Sequence, residues 1–221
     1  SSSPQARQSC PRTCRVCAMP RGSAPPPRAP GGVQARQLVE RAVGVSRPRL
    51  VVFDLDACCW YPEMYMMSTG SPFTVGSNPH ELVSRGGERV RLLGEVAEIW
   101  GALHELPELE DTLVGVASRC DVPEWGRECL QKLIVGAKGE SMWDIAGGGE
   151  LVEIYKSNKQ VHFQALQKKT GISFEDMLFF DDDMTNIRSV GKLGVKCVHT
   201  PHGVTAECWE KGLGMFEALA A

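Results

Sequence analysis

Acidic, hydroxyl-bearing and basic side chains follow four separate apolar segments of this sequence. Asp54 and Asp56 come directly after the apolar run Leu50–Phe53. The later segments are followed by Ser118 and Arg119, by Lys159, and by Asp181 and Asp182. Carboxylates beside a lysine and a hydroxyl are the groups with which proteins bind a divalent cation and a phosphate.

The spacing of Asp54 and Asp56 suits a shared ligand. Residues two apart in an extended strand point to the same side, so both carboxylates can face one group. With Asp181 and Asp182 they would form a strongly negative pocket, in which carboxylates take up protons unless a cation lies between them. Magnesium prefers carboxylates, waters and phosphate oxygens. The sequence therefore predicts an Mg²⁺ site formed by Asp54, Asp56, Asp181 and Asp182.

The same residues predict a reaction on a phosphate ester. Asp54 would attack phosphorus, and Asp56 would protonate the leaving oxygen and then activate water. Lys159 and the Ser118 hydroxyl would bind the remaining phosphate oxygens and offset the charge that accumulates there. We expect a phosphomonoesterase that forms a phospho-aspartyl intermediate.

Three other interpretations compete with this one. A single Asp-x-Asp at a strand end is more often a turn than a site, but four coordinated strand ends make that explanation weak. A phospho-accepting receiver domain would carry its phosphorylated Asp after the third strand, which disagrees with the order here. A noncatalytic phosphate- and magnesium-binding scaffold of the same fold stays open, although both Asp54 and Asp56 are present.

Apolar runs and helical stripes alternate along the chain. Strands are predicted at 50–53, 112–117, 151–155, 177–180 and 195–199, and helices at 88–106, 122–134, 160–169, 185–193 and 205–219. Strictly alternating strands and helices favour right-handed crossovers, hence a Rossmann-like, doubly wound α/β fold with a mostly parallel sheet. Ligands bind beyond the carboxyl ends of such strands, where the polar residues above are placed.

Two segments do not fit the alternation. Residues 60–87 are rich in Met, Gly, Ser and Pro, and we expect a loop or a short hairpin flap there. Residues 136–149, with glycines at 147–149, have no assigned element. They lack the Lys-Ser/Thr pair of a P-loop, which argues against nucleotide binding.

The first 46 residues differ in composition from the rest. They are rich in Ser and Pro, and residues 1–39 contain six arginines and no acidic residue. Two interpretations stay open: a disordered extension, or an organellar transit peptide that would direct the protein to a chloroplast or mitochondrion rather than the cytoplasm. Cys10, Cys14 and Cys17 have no fourth ligand nearby, which disfavours a structural zinc site.

Charge, hydropathy and cysteine content exclude several classes of function. Without those six arginines the chain has 18 basic and 27 acidic residues, so nucleic-acid binding is not expected. No run of about 18 apolar residues exists, so no membrane span is expected. Nine irregularly spaced cysteines favour reduced, intracellular thiols. The expected partner is a phosphorylated small molecule or a phosphoprotein.

The motifs resemble those of a known superfamily. FDLDACCW is similar to motif one of the haloacid dehalogenase superfamily, and VASRC, the segment around Lys159 and FFDDD resemble its motifs two to four in order. FDLDxxxWxPEMY, VASRxxxPEWxRECL and EIYxxxKxxHFxxLxxKTG resemble the eukaryotic magnesium-dependent phosphatase family more closely, including its acid phosphatase branch. The similarity covers about residues 47–217, within a predicted phosphatase domain of residues 47–221.

This resemblance implies a Rossmann-like fold with no cap or a minimal one, magnesium as cofactor, and aryl phosphates, phosphotyrosine, phosphorylated sugars or glycated amines as substrates. One departure is Cys58, where the family usually has Thr; a small buried thiol is the favoured explanation over an oxidation switch. The implied roles are Asp54 as nucleophile, Asp56 as general acid and base, Ser118, Arg119 and Lys159 as phosphate and substrate contacts, and Asp181 and Asp182 at the metal.

Overall fold

A five-stranded parallel sheet forms the centre of the protein in a computed structural model that describes residues 47–217. The predictions made for residues 1–46 and for the end of the last helix lie outside the described residues. The strands are β1 Leu50–Phe53, β2 Trp60–Tyr61, β3 Thr74–Val75, β4 Glu81–Val83, β5 Arg89–Leu92, β6 Leu113–Ser118, β7 Val152–Ile154, β8 Met177–Asp181 and β9 Lys196–His199. The central sheet has the order β7-β6-β1-β8-β9.

Helices cover both faces of this sheet. They are α1 Val96–Glu105, α2 Pro123–Lys132, α3 Met142–Ile145, α4 Lys159–Thr170, α5 Met184–Gly191 and α6 Ala206–Glu217. Core residues of α4 and α5 pack on one face, and those of α1, α2 and α6 pack on the other. The predicted α/β architecture with a mostly parallel sheet is confirmed.

Strand β1 shows why the central strands are continuous apolar runs. All four of its residues are fully buried. Val51 and Phe53 belong to one core cluster, while Leu50 and Val52 belong to the cluster on the opposite face. A strand covered on both sides cannot carry polar residues at alternate positions, so its apolar run is uninterrupted.

The segment after β1 is more ordered than the predicted loop or short hairpin. Strands β2 to β5 form a separate antiparallel sheet with the order β2-β5-β4-β3, here called the flap sheet. The predicted helix over 88–106 was wrong at its start, because residues 89–92 form β5 and α1 begins at Val96. Strands of two to four residues are too short to show an alternating pattern, and Val90 fits either period.

The flap sheet is attached to helix α2. The Phe73 ring packs edge-on against Trp125 with ring centroids 6.4 Å apart. The Phe73 backbone N–H donates to Glu128 Oε1 at 2.9 Å, and Lys132 Nζ donates to the Phe73 carbonyl. These contacts fix the flap sheet to the body of the domain.

The unassigned stretch 136–149 contains the short helix α3. Ser141 and Asp144 form a capping box at its start, in which the Asp144 N–H donates to the Ser141 hydroxyl oxygen at 3.2 Å. Glycines 147–149 follow with positive φ, and a Cβ at Gly149 would collide with the Trp143 ring. These glycines therefore allow the backbone to form a tight turn after α3.

Among residues 47–217, no helix is both long and apolar enough to cross a membrane.

A buried carboxylate cross-links the flap sheet. The Glu81 side chain is 3% exposed, pairs with Arg89 and Arg91 on the neighbouring strand, and accepts the Ser77 N–H at 3.2 Å. Burial alone would raise the pKa of Glu81, but the hydrogen bonds from Ser77, Arg91 and Arg89 lower it to about 2. The charged form of Glu81 is thus the one that the flap sheet stabilises.

We expect Glu81→Gln to lower the free energy of unfolding by about 1–3 kcal/mol at pH 7, since it removes charge-assisted hydrogen bonds at a buried site. Because the pKa of Glu81 falls from 4.5 to about 2 on folding, this contribution is complete above pH 4.5 and disappears as the pH falls towards 2. Urea unfolding over that pH range measures the difference. Glu210→Gln, at an exposed position of α6, is the control; a pH-independent difference would contradict the prediction.

Candidate active site

The chemistry-bearing residues meet at the carboxyl edge of the central sheet. Asp54 follows β1, and its N–H donates to the Phe180 carbonyl of β8 at 3.0 Å, so it lies beside Asp181 at the end of that strand. Ser118 ends β6, and Lys159 begins α4 after β7. Adjacent parallel strands end at one edge, which brings together residues more than a hundred positions apart.

Lys159 is the centre of this cluster. Its Nζ lies 2.5 Å from Asp54 Oδ1, 2.8 Å from Asp181 Oδ2 and 2.6 Å from the Ala117 carbonyl oxygen. These three acceptors match the three hydrogens of an ammonium group. Burial works to lower the pKa of Lys159, which is 1% exposed, but Asp54 and Asp181 raise it, so the ammonium stays charged.

Three carboxylates lie close together beside this ammonium. Ligand oxygens of Asp54, Asp181 and Asp182 are all within 4.8 Å of one another. Burial, and then repulsion from Asp54, raises the pKa of Asp181 to about 6 and that of Asp182 to about 7. One lysine does not neutralise three carboxylates, so the cluster has a deficit of positive charge that a hard divalent cation fits.

Asn186 orients one of these carboxylates. Its side-chain Nδ2 donates to both oxygens of Asp181, at 3.1 and 3.2 Å, and the Asp183 N–H donates to Asp181 Oδ1 at 2.7 Å. Sequence reasoning missed Asn186. The available signal was a polar residue on the first turn of α5, directly after the FFDDD motif.

The structure does not bring the Asp56 carboxylate into the three-carboxylate group. Instead, Asp56 Oδ1 accepts the indole N–H of Trp60 at 2.7 Å. Burial raises the pKa of Asp56, while hydrogen bonds from Trp60, the Cys120 thiol and the Met64 backbone N–H lower it, with a net increase. This placement favours the predicted acid-base role of Asp56 over its predicted role as a side-chain metal ligand.

Ser118 and Arg119 differ in their surroundings. The Ser118 hydroxyl is buried, and its oxygen accepts the Cys120 N–H at 3.2 Å, which leaves the hydroxyl proton available to a phosphate oxygen. Arg119 is exposed to solvent. Lys156, the other lysine of this segment, also lies outside the cluster and pairs with Asp121 at 2.7 Å.

His162 is a second residue of the site that the sequence analysis did not identify. It is fully buried one turn after Lys159, and its Nε2 lies 3.1 Å from the Ser118 carbonyl oxygen and 3.0 Å from that of Tyr155. Its ring stacks on the Tyr155 ring at 4.1 Å. His162 therefore joins the backbone behind Ser118 to the start of α4.

The Cys58 thiol, four residues after Asp54, is buried and held in its neutral form. Cys58 is fully buried, with its Sγ 3.4 Å from Thr200 Oγ1, and burial raises its pKa well above the usual range. A thiol held neutral is a poor target for oxidation. The six cysteines in the described part of the chain are free, as expected for reduced thiols.

Comparison with known proteins identifies the family. Residues 46–218 match the family model described as Acid Phosphatase. This chain belongs to the acid phosphatase family. It is 35% identical over 169 residues to the human protein named Magnesium-dependent phosphatase 1, covering 76% of this chain and 87% of that protein. It is 32% identical over 149 residues to a HAD-like hydrolase superfamily protein of Schizosaccharomyces pombe, covering 67% and 83%.

Solved structures with a similar fold are more distant. One is the N-terminal part of a Bacteroides fragilis protein containing a phosphatase domain complexed with Mg, at 17% identity and a TM-score of 0.48 over 80% of this chain and 42% of that one. Another is a haloacid dehalogenase-like hydrolase from Xanthomonas campestris, at 10% identity and a TM-score of 0.44 over 80% and 94%. The family assignment therefore rests on the sequence matches.

These matches confirm the predicted family and enzyme class. The acid phosphatase family agrees with the predicted phosphatase, and the name of the human relative agrees with magnesium as the expected cofactor. The roles of Asp54, Asp56, Ser118, Arg119, Lys159, Asp181 and Asp182 stay predictions.

We expect magnesium to raise the melting temperature of the wild-type protein and to have almost no effect on Asp182→Asn. Binding at a hundred times the Kd adds about 2.7 kcal/mol, or roughly 5–10 °C for a domain of this size. Without metal, Asp182→Asn should be more stable than the wild type at pH 8. The substitution removes a charge whose burial, together with repulsion from Asp54 and Asp181, raises the pKa of Asp182 to about 7. Differential scanning fluorimetry with magnesium and with EDTA measures both effects.

Asp183→Asn is the matched control for this experiment. Asp183 is the next residue, but its side chain caps α5 by accepting the Thr185 N–H at 2.7 Å, and it lies outside the three-carboxylate group. Asn caps helices as well as Asp does, so this variant should keep the full magnesium shift. A magnesium shift that survives Asp182→Asn would show that the cation binds elsewhere.

Proposed function

We propose that this protein, a magnesium-dependent phosphatase, hydrolyses phosphate monoesters through a phospho-aspartyl intermediate on Asp54. The observation that carries the proposal is the contact between the buried Lys159 ammonium and Asp54 Oδ1 at 2.5 Å, beside two further carboxylates. A carboxylate with one oxygen held by a cation can attack phosphorus through its other oxygen.

Lys159 makes Asp54 available as a nucleophile. Burial raises the pKa of Asp54, and the charge and hydrogen bond of Lys159 oppose that rise. Because Lys159 also contacts Asp181 and the Ala117 carbonyl, the ammonium cannot turn away from Asp54 without losing two other hydrogen bonds. Attack through the second oxygen of Asp54 leaves all these contacts in place.

Asp54, Asp181 and Asp182 would hold the magnesium ion. When bound there, the ion supplies the positive charge that lets an anionic phosphate approach an anionic nucleophile. The Ser118 hydroxyl, directed to the same edge by the end of β6, donates to a phosphate oxygen. Ser118 thus binds phosphate directly, while Lys159, whose three hydrogens are already donated to protein acceptors, contributes the positive charge that offsets that of the phosphate.

Asp56 completes the reaction in two proton transfers. In the first step its proton passes to the leaving oxygen, as the bond from phosphorus to that oxygen breaks and the bond from Asp54 to phosphorus forms. In the second step the Asp56 carboxylate takes a proton from water. The water oxygen then bonds to phosphorus, and the acyl phosphate bond to Asp54 breaks. Each proton that Asp56 gives is recovered, so the enzyme returns to its starting state.

The turn after β2 of the flap sheet provides the surface that the leaving group of the substrate would contact. The 3₁₀ turn Met64–Met66 follows β2, and the Met64 N–H faces the Asp56 carboxylate. Tyr65 and Met66 on this turn are 60% and 47% exposed. Since Asp56 serves the leaving oxygen, these side chains favour aryl phosphates and phosphotyrosine over phosphorylated sugars as substrates.

We expect wild-type turnover of p-nitrophenyl phosphate to require magnesium, and Asp54→Asn to lower kcat by at least about 10³-fold because it removes the nucleophile. Acid-quenched wild-type enzyme should retain radiolabelled phosphate that hydroxylamine releases, as an acyl phosphate does. Asp54→Asn should retain none. Asp176→Asn, at the opposite end of β8, is a control expected to match wild type.

Two outcomes would overturn the proposal. Turnover or labelling that survives Asp54→Asn would show that another residue attacks phosphorus. No turnover of aryl or sugar phosphates, in protein that still binds magnesium, would favour the noncatalytic scaffold instead.

A further inference from the structure

Trp60 makes a contact that its place in the core does not explain. Its side chain is fully buried, and its indole Nε1 donates to Asp56 Oδ1 at 2.7 Å. Trp100 and Trp209 are equally buried, yet their indole nitrogens have no hydrogen-bond partner within residues 47–217. This fold therefore tolerates buried indoles without a partner, and the Trp60 contact is specific to its position.

The backbone holds Trp60 beside Asp56. The Leu55 carbonyl accepts the N–H groups of Cys58, Cys59 and Trp60, at 3.3, 2.7 and 3.1 Å, and the Ala57 N–H donates to the Trp60 carbonyl at 2.9 Å. Ala57 adopts a positive φ of 61° within this turn. The chain after Asp56 thus folds back at once, and the indole returns to the carboxylate four residues earlier.

Trp60 also links Asp56 to the flap sheet. It is the first residue of β2 and pairs with Leu92 of β5. Two weaker contacts reach the same carboxylate, from the Met64 N–H and the Cys120 thiol. A thiol is a poor hydrogen-bond donor, and Met64 belongs to the turn that follows β2. Of the three donors to the Asp56 carboxylate, the rigid indole ring of Trp60 therefore fixes its position best.

The donor chemistry of indole restricts where a proton can reside on Asp56. An indole N–H donates and never accepts, so Oδ1 remains an acceptor whether Asp56 is ionised or protonated. A protonated carboxyl oxygen is the weaker acceptor, which favours the proton on the other oxygen. We infer that Trp60 is a positioning residue that holds Asp56 by Oδ1, so that Oδ2 carries the proton given to the leaving group.

This inference rests on the acid-base role proposed for Asp56 and predicts a dependence on the leaving group. Benzyl phosphate releases an alkoxide unless an acid protonates it, whereas p-nitrophenolate leaves readily without a proton. General acid catalysis contributes about 10²–10⁴-fold where a proton is needed. Losing the Trp60 contact should therefore affect benzyl phosphate far more than p-nitrophenyl phosphate.

The test compares Trp60→Phe with Trp100→Phe on both substrates. For Trp60→Phe we expect kcat/KM to fall about 10- to 100-fold with benzyl phosphate and less than about 3-fold with p-nitrophenyl phosphate. Trp100 packs on Phe53 of β1 with ring centroids 5.0 Å apart, so Trp100→Phe removes a similar indole from the same core. Because its nitrogen has no partner to lose, its effect should be equal on the two substrates.

A purely structural role for Trp60 would overturn the inference. In that case Trp60→Phe would lower kcat/KM equally for both substrates, as Trp100→Phe does. If Trp60→Phe does not fold, as judged by circular dichroism and its melting temperature, benzothienylalanine at position 60 replaces it. That analogue keeps the shape of the ring system and lacks the N–H donor, so the same selective loss is expected.

Asp56→Asn separates failure of this inference from failure of the proposed function. Asp56→Asn should itself be selective against benzyl phosphate, and adding Trp60→Phe to it should change kcat/KM by less than about 2-fold, because the two residues act as one unit. If Asp56→Asn shows no selectivity, the acid role of Asp56 is wrong. If Asp56→Asn is selective and Trp60→Phe is not, only the role of Trp60 is wrong.

Discussion

The ammonium of Lys159 between Asp54 and Asp181 is the interaction on which the rest of the site depends. Three strand ends bring carboxylates and a hydroxyl to one edge of the sheet, and their charges would separate them without a cation. A single lysine contacts two of the carboxylates and not the third, Asp182, and the pKa values of both Asp181 and Asp182 are raised. One lysine does not neutralise three carboxylates, so the site keeps a net negative charge. A bound magnesium ion would balance this charge and allow an anionic phosphate to approach.

The two acids of the Asp-x-Asp motif have different surroundings, and this difference fits the different functions proposed for them. Asp54 lies with the lysine and the other carboxylates, as the proposed nucleophile and metal ligand requires. Asp56 is held by Trp60 and the flap sheet, as suits the acid proposed to protonate the leaving group. Because the flap sheet is fixed to α2 through Phe73, Asp56 is positioned by a rigid attachment.

Much of the fold could be predicted from the sequence. The length and burial of each strand explain both the correct predictions and the errors. Strands buried on both faces, such as Leu50–Phe53, are uninterrupted apolar runs and are easily recognised. The helix predicted at 160–169 forms α4, which Gly171 ends with a φ of 68°, the left-handed conformation that glycine commonly adopts at a helix C-terminus. The extent of the flap sheet was not predicted because its strands are only two to four residues long, and β5 was therefore assigned to the following helix.

The sequence by itself determined which residue types stand at the ends of the central strands, and in what order. It could not determine which carboxylates meet, because that depends on strand order and on side-chain rotamers fixed by packing. The sequence grouped all four acids, and only the tertiary structure separated the Asp56 carboxylate, which contacts Trp60, from Asp54, Asp181 and Asp182. It also revealed the roles of Asn186, which donates to the Asp181 carboxylate five residues earlier, and of His162, whose ring contacts the Ser118 carbonyl oxygen 44 residues away. A contact between a side chain and a distant backbone carbonyl leaves no pattern in the sequence.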